Sequence, residues 1–321
     1  MNGKTKEEIK MKKTTMLLCI AAGVLLAGSC AKTIEAPQPE KMNITLTASI
    51  GAPGTKTTYT EKDGGGLTVT WDDEEWISVI RVNEDGTYAG HDDISGTKID
   101  DKNYAFKGAV TTKTDAQSYL CVYPSIGMSP HMFQNNLEPD KTEVLEYNGT
   151  ESIAQKESGS TAHLKEADLM TGVPEFDEEG NATVSLERQI GILKLDISFP
   201  NTEDFVGKTI GLIAFMPAAG GLVPTPNLTI TLKDGSAAPA ESPFFLVSYM
   251  GPIPFGGRLI AYAPFGPCTM SAGSYDIYIQ TGEEDYKIAT IEGSSDVVIE
   301  RGCMSTLTID KSDPDAWSVS H

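Results

Sequence analysis

The feature that most constrains the fold is an alternation of apolar and polar residues with a period of two, which recurs along most of the chain. In the clearest run, Met42 to Ile50, every second residue is apolar. Successive side chains of a strand point to opposite faces, so this pattern predicts a strand with one buried face. Further runs of this kind are residues 67–71, 76–82, 119–123, 182–186, 192–199, 209–215, 228–232, 259–263, 275–280, 286–291, 297–299 and 307–309.

The segments between these runs carry turn residues, such as Asp63-Gly64, Asp85-Gly86 and Asp234-Gly235. Glycine accepts positive φ, and an aspartate side chain bonds its own backbone, so both favour tight turns. Beyond the N-terminal leader, no segment keeps a 3.6-residue apolar repeat over three turns, which predicts few and short helices. The predicted fold class is therefore all-β, and many short strands at this spacing are typical of sandwiches or barrels.

The N-terminus reads as a signal peptide. Lys10, Lys12 and Lys13 precede the apolar stretch Met16 to Ala27, which has 12 residues. A helix that spans a bilayer needs roughly 20 apolar residues, so this stretch is too short for a permanent membrane anchor. We expect residues 1–29 to be removed, with Met1 and Met11 both open as the translation start.

The leader ends in Leu26-Ala-Gly-Ser-Cys30. This series resembles the lipobox, where lipoprotein signal peptidase cuts before a diacylated cysteine, although ordinary cleavage near Ser29 stays open. We expect Cys30 to carry the lipid anchor, residues 30–41 to form a tether, and the outer membrane to hold the protein at the cell surface.

The charge balance argues against nucleic acid as a partner. The chain has a net charge of −20, and loss of residues 1–29 would leave 20 basic and 43 acidic residues. Such a surface repels phosphate, whereas an acidic surface outside the cell keeps a protein in solution. Only Cys121, Cys268 and Cys303 would remain beside Cys30. A Cys268–Cys303 disulfide is open, but small buried free thiols are the commoner state in a chain of this length.

The mature length suits two domains. A boundary falls between Leu186 and Gly191, after the acidic turn at Asp177 to Gly180, and the second half has loops richer in Pro and Gly. The predicted divisions are residues 42–188, residues 189–310 and a C-terminal tail at residues 311–321.

No motif in the sequence carries recognisable catalytic or metal chemistry. The histidines lack metal-ligand spacing, and there is no nucleophile elbow or zinc-protease helix. The segment Trp71-Asp-Asp-Glu-Glu-Trp76 gathers four carboxylates but lacks the alternating ligands and central Gly of a calcium loop. We therefore expect a non-enzyme without cofactor or metal, and a solvated acidic turn between two tryptophans that pack on the core.

Five segments, taken in order, resemble the fimbrillin family, the pilus-subunit-like surface lipoproteins of Bacteroides-type bacteria. They are the leader that ends in Cys30; Thr55–Tyr59 followed by Leu67–Trp71 and Trp76–Val79; Tyr119–Pro124; Arg188–Leu195; and Ile299–Leu307. The resemblance implies two transthyretin-like β-sandwich domains, at residues 42–188 and 189–310. It also implies a structural or adhesive role as subunit, anchor or tip of a pilus, with other pilus subunits and a host protein or glycan receptor as partners.

In polymerising members of that family, a protease removes an N-terminal strand after Arg or Lys, and a strand from a neighbouring subunit fills the groove. Met42 to Ile50 suits such a removable strand. This chain departs from the pattern, because no Arg lies between Cys30 and Arg81. Lys41 and Lys56 are therefore the candidate processing residues, and we expect surface anchoring rather than polymerisation.

An alternative function is a glycan-binding surface lipoprotein of a nutrient-uptake system. Phe255 and Phe265 lie in Pro/Gly-rich segments, and aromatic rings in exposed loops stack on sugars. If the two rings are exposed together, they are the candidate adhesive patch, although packing on the end of the β-structure is the commoner fate of such residues.

Overall fold

The strands follow the period-two pattern along the chain. The computed structural model describes residues 41–50, 58–61, 67–112, 116–134, 137–149, 154–202, 205–217, 222–242, 245–271, 273, 275–281, 284–290, 296–310 and 318–320. The strands are β1 (Lys41–Ile50), β2 (Thr58–Glu61), β3 (Leu67–Thr70), β4 (Trp76–Asn83), β5 (Tyr88–Lys98), β6 (Asn103–Thr111), β7 (Ala116–Tyr123), β8 (Val144–Tyr147), β9 (Ala154–Gln155), β10 (Met170–Gly172), β11 (Asn181–Arg188), β12 (Gly191–Ser198), β13 (Thr209–Pro217), β14 (Val223–Thr231), β15 (Ala237–Ser242), β16 (Phe245–Pro252), β17 (Arg258–Phe265), β18 (Cys268–Met270), β19 (Tyr275–Thr281), β20 (Glu284–Thr290), β21 (Val297–Ile299), β22 (Met304–Asp310) and β23 (Ser318–Ser320).

The all-β class is confirmed, since every predicted run overlaps one of these strands. Within the described ranges, helical structure is limited to two short 3₁₀ helices, Pro130–Met132 and Ala162–Ala167. The part of the chain that the structure describes contains no helix with the length and apolar character needed to cross a membrane.

Seven strands of the first half close into a barrel in the order β1-β11-β10-β7-β4-β5-β6, with β6 paired back to β1. Most neighbours are antiparallel, but β1 runs parallel to β11. The barrel strands share one apolar core that includes Leu46, Trp71, Phe106 and Leu186. Closure leaves no free edge among these strands.

The strand β4 is buried on both faces, which explains why apolar residues occupy both odd and even positions along it. Ile77 and Val79 belong to the barrel core, whereas Ile80 and Val82 belong to a second core outside it. That second core also contains Leu228 and Tyr262 from the second half of the chain. A strand covered on both sides has no polar face and therefore shows no strict alternation.

The second half contains a four-stranded sheet, β17-β12-β22-β23, and a five-stranded sheet, β20-β19-β13-β16-β9. Here too the first strand of the half, β12, runs parallel to a late strand, β22, and antiparallel to β17. A third core, which includes Leu195, Phe215 and Ile277, is built from strands of both sheets.

The long connection between β7 and β10 pairs with the second half. Its strand β8 adds to β14, and β9 adds to β16. Residues 40–321 accordingly form one compact unit. The boundary at residues 188 and 189, and the assignment of two β-sandwich domains, stay predictions.

Two smaller predictions concern the cysteines and the tail. Cys121, Cys268 and Cys303 are free thiols, with Cys121 buried and the other two half-buried. In the predicted tail, β23 pairs antiparallel with β22, and residues 311–317 and 321 lie outside the described part of the chain.

Candidate functional site

The first strand of the barrel, β1, is the element that best matches a functional role. It lies between β6 and β11, in register with β6 from Lys41 opposite Thr111 to Ser49 opposite Asn103. Its apolar side chains Ile44, Leu46 and Ala48 are at most 3% exposed and belong to the barrel core.

Without β1, the barrel would have two free edges and an open groove. The strands β6 and β11 would each lose a hydrogen-bonded neighbour, and the positions of Ile44, Leu46 and Ala48 would be empty. An extended segment that offers main-chain hydrogen bonds and apolar side chains at alternate positions fits such a groove. The groove that the removal of β1 would open can therefore accept a strand with the same alternating pattern as β1.

Of the predicted processing and anchor residues, the structure describes one. Lys41 is the first residue of β1, is exposed, and lies opposite Thr111 at one end of the barrel strands. Cys30 and Lys56 lie outside the described residues.

The two predicted adhesive aromatics have opposite environments. Phe255 is 93% exposed, in the loop between β16 and β17. Its loop is held by a hydrogen bond from the Gly257 N–H to the Pro254 carbonyl, and Gly257 has a φ of 75°, which favours glycine.

The condition for a joint adhesive patch, that the two rings are exposed together, is not met, because Phe265 packs on the core. This ring is fully buried at the end of β17, in edge contact with Phe215 at a centroid separation of 5.3 Å. The Pro and Gly residues around it mark a strand end that packs on the core, and Phe265 lies opposite Gly191 of β12 in the sheet. Of the two rings, Phe255 alone is therefore exposed.

The acidic turn between Trp71 and Trp76 borders a cleft of about 490 Å³. Trp71 is buried, and its indole N–H donates to the Lys102 carbonyl at 3.3 Å, whereas Trp76 is half-buried. Glu75 accepts a hydrogen bond from the Tyr123 hydroxyl at 2.9 Å. Within the described ranges, no three His, Cys, Asp or Glu side chains are arranged to hold a metal ion. The turn is thus solvated and tied to the core through Trp71.

The histidines in the described segments have structural partners or face solvent. His91 Nδ1 lies 2.6 Å from the Tyr88 hydroxyl, and His131 is exposed. His163 is buried, with Nε2 at 3.0 Å from the Tyr262 carbonyl, and burial lowers its pKa. His321 lies outside the described residues.

A polar cap on the edge strand β17 was not predicted from the sequence. The Gln155 side chain donates to the Ile260 carbonyl and accepts from the Tyr262 N–H, both at 2.8 Å. Ser158 Oγ accepts from the Ile260 N–H at 2.9 Å, and the His163 ring N–H meets the Tyr262 carbonyl. An unpaired edge invites strand addition, so this cap closes β17 to a partner strand. The connecting segment looks like an ordinary polar loop in sequence and gives no signal of this role.

The chain is similar to several solved structures. No protein-family model and no curated protein matches the chain. Solved structures that match include a protein from Bacteroides ovatus, named for a role in cell adhesion, at 12% identity and a TM-score of 0.48, covering 88% of this chain and 95% of its own. A protein from Bacteroides uniformis with the same kind of name matches at 13% identity and a TM-score of 0.47, covering 87% and 95%. The fimbrial anchor protein Mfa2 from Porphyromonas gingivalis matches at 12% identity and a TM-score of 0.40, covering 86% and 95%. The names of these three neighbours describe cell adhesion or fimbrial proteins.

Proposed function

We propose that this protein is a fimbrillin-like surface lipoprotein, held in the outer membrane by lipid on Cys30, that serves as a structural and adhesive component of pili. The observation that carries the proposal is the position of β1. The first described strand closes the barrel between β6 and β11 and follows directly on the residues expected to tether the chain to the membrane. The lipobox-like series and the five family-like segments support the same assignment.

Within this role, we propose that the protein is an anchor that retains β1. The strand is fully paired on both sides, and its core side chains are buried. Of the two candidate processing residues, only Lys56 would release the strand, because a cut after Lys41 removes the tether and leaves the strand in the barrel. No Arg is present from Ala31 to Ile80, so an Arg-specific protease cannot free the strand.

The adhesive part of the role is assigned to the Phe255 loop. The Phe255 ring is 93% exposed and makes no contribution to the core. It is therefore available to pack on an apolar surface of a protein receptor or to stack on a sugar ring. A host protein or a glycan is the proposed receptor class for this loop.

Cell fractionation combined with immunoelectron microscopy tests the proposal. The expected result is protein in the outer-membrane fraction, with label at the cell surface and at the base of fibres. A purely cytoplasmic, unlipidated protein would contradict the proposal. Label on the surface without fibres, together with glycan binding that Phe255→Ala abolishes, would favour the nutrient-uptake alternative.

A further inference from the structure

A second cleft, of about 350 Å³, lies where strands β10 and β11 of the barrel approach two turns of the second half. Its lining includes Ser185 and Glu187 from β11, Asp234 and Ser236 from the turn between β14 and β15, and Arg301 from the turn between β21 and β22. All five of these residues are exposed. The cleft is thus open to solvent, and hydrogen-bonding groups dominate its rim.

The inner wall includes Gln189, which is 2% exposed. Its side-chain nitrogen donates to Thr171 Oγ1 at 2.8 Å and to the Glu187 carbonyl at 3.0 Å. Thr171 Oγ1 in turn donates to the Gly235 carbonyl at 2.8 Å, so it accepts from Gln189. Both partners of the Gln189 nitrogen are acceptors, which fixes the orientation of the amide.

The fixed amide leaves Gln189 Oε1 as a buried acceptor without a partner among the described residues. Buried polar groups in folded proteins are nearly always hydrogen-bonded, and an unsatisfied one is destabilising. A group that donates a hydrogen bond at this wall of the cleft would remove that cost. Water can do so, and so can the hydroxyl of a ligand.

Two glycines of the lining, Gly172 and Gly235, are packed closely against the surrounding protein. A Cβ on Gly235 would lie 2.8 Å from Leu120 Cδ1, and one on Gly172 would lie 2.6 Å from the Ser185 carbonyl oxygen. Side chains larger than glycine at either position would therefore clash with the surrounding wall.

The charges around the cleft select the class of ligand. A phosphate would meet the carboxylates of Glu187 and Asp234, and hydrogen bonds from Ser236 lower the pKa of Asp234 so that it stays ionised. A bare metal cation would meet Arg301, whose guanidinium is held by a 2.7 Å hydrogen bond to the Ala237 carbonyl. A neutral molecule with several hydroxyls can donate to the carboxylates and to the amide oxygen, and can accept from the guanidinium.

We propose that this cleft binds a mono- or disaccharide through the side chains of Glu187, Gln189, Asp234 and Arg301. The volume lies within the range of small-ligand pockets, and the lining contains no aromatic ring, so recognition occurs through hydroxyl groups rather than through stacking. The lining contains no residue of β1 or of the Phe255 loop, although Ser185 of the lining lies opposite Ser49 of β1 in the sheet. The site goes beyond the proposed function and does not depend on lipidation or on fibre assembly.

Isothermal titration calorimetry on the purified full chain tests the proposal, with galactose, mannose, N-acetylglucosamine and lactose as the probes. At least one saccharide should bind, and Glu187→Gln and Arg301→Ala should each weaken it about tenfold or more, because each removes a charge-assisted hydrogen bond. Glu179→Gln and Lys165→Ala are the matched controls, since both residues are exposed and lie outside this cleft. They should leave the affinity unchanged.

Three outcomes would overturn the proposal. The first is that none of the four saccharides binds, so that the cleft holds only water. The second is that Glu187→Gln and Arg301→Ala do not weaken the binding. The third is that glycine or L-glutamate binds more tightly than every saccharide. Because Glu187 and Arg301 are exposed, both variants should melt within a few degrees of the wild-type chain. If Arg301→Ala melts lower, Glu187→Gln alone decides the outcome. The failure of this site would not affect the proposed pilus role, which fractionation and microscopy test separately.

Discussion

The Arg188 guanidinium makes two hydrogen bonds to the Asp168 carboxylate, Nε to Oδ1 at 2.6 Å and Nη2 to Oδ2 at 2.8 Å. The side chains are 3% and 0% exposed. Arg188 ends β11, the neighbour of β1, and Asp168 follows the 3₁₀ helix Ala162–Ala167 that packs on the second half. The pair thus ties the long connection to the barrel.

Arg188→Met should be strongly destabilising, because it leaves the Asp168 carboxylate buried without its cation. The free energy of unfolding should fall by about 3–5 kcal/mol, the cost of breaking a buried ion pair. Urea denaturation measures this change. The double variant Arg188→Met with Asp168→Leu should lose less than the sum of the two single variants, and strict additivity would contradict the role of the pair.

The barrel core should depend on the inward face of β1. Leu46→Ala removes a fully buried side chain and should lower the free energy of unfolding by about 2–5 kcal/mol. Asn43→Ala, on the exposed face of the same strand, should change it by less than about 0.5 kcal/mol. Equal effects of the two substitutions, measured by chemical denaturation, would show that β1 is not seated as the structure has it.

Substitutions of Phe255 and Phe265 should separate adhesion from stability. Phe265→Ala should cost about 3–5 kcal/mol of unfolding free energy, since the ring is fully buried against Phe215. Phe255→Ala should leave the melting temperature unchanged because the ring is 93% exposed. In an adhesion assay, Phe255→Ala should reduce attachment of cells, and unchanged attachment would remove this loop from the adhesive surface.

His163 should make stability depend on pH. Burial lowers its pKa from the ordinary value of 6.5, and this effect outweighs the opposing one of the hydrogen bond to Tyr262. As pH falls below that ordinary value, the unfolded chain therefore takes up the proton before the folded chain does. Stability should be retained above about pH 6.5 and lost as pH falls from there toward the lower pKa of the folded state.

The control for this prediction is His163→Gln, which cannot take up the proton. Between about pH 7.5 and about pH 5.5, the loss of unfolding free energy should be smaller in the variant than in the wild-type chain. Denaturation midpoints at the two pH values measure the difference. Identical pH dependence of the two chains would contradict the assignment.

Alternation predicts the strands that have one polar and one apolar face, and β1 is the clearest case. It does not predict β5, whose sequence contains His91, Asp92 and Asp93. These polar side chains are accommodated by cross-strand partners: Arg81 pairs with Asp92, and Ser78 donates to Asp93. The sequence places no such partners next to each other, so the strand can be recognised only from the pairing.

For the candidate site too, the sequence predicts the local strand but not its long-range neighbours. The pattern of β1 predicts a strand with a buried face, but not its position between β6 and β11, which depends on long-range pairing. Proline and glycine around Phe265 suggested an exposed loop, whereas long-range packing against Phe215 in the third core buries the ring. Gln189 and Arg301 come together only because two turns of the second half approach β11.

Mass spectrometry of the mature N-terminus, on protein recovered from intact cells, tests the central claim most directly. We expect a chain that begins at a diacylated Cys30 and still contains β1. A chain that begins at Met42 or Thr57, after a cut at Lys41 or Lys56, or a chain that retains an uncleaved leader, would contradict permanent lipid anchoring with β1 in place.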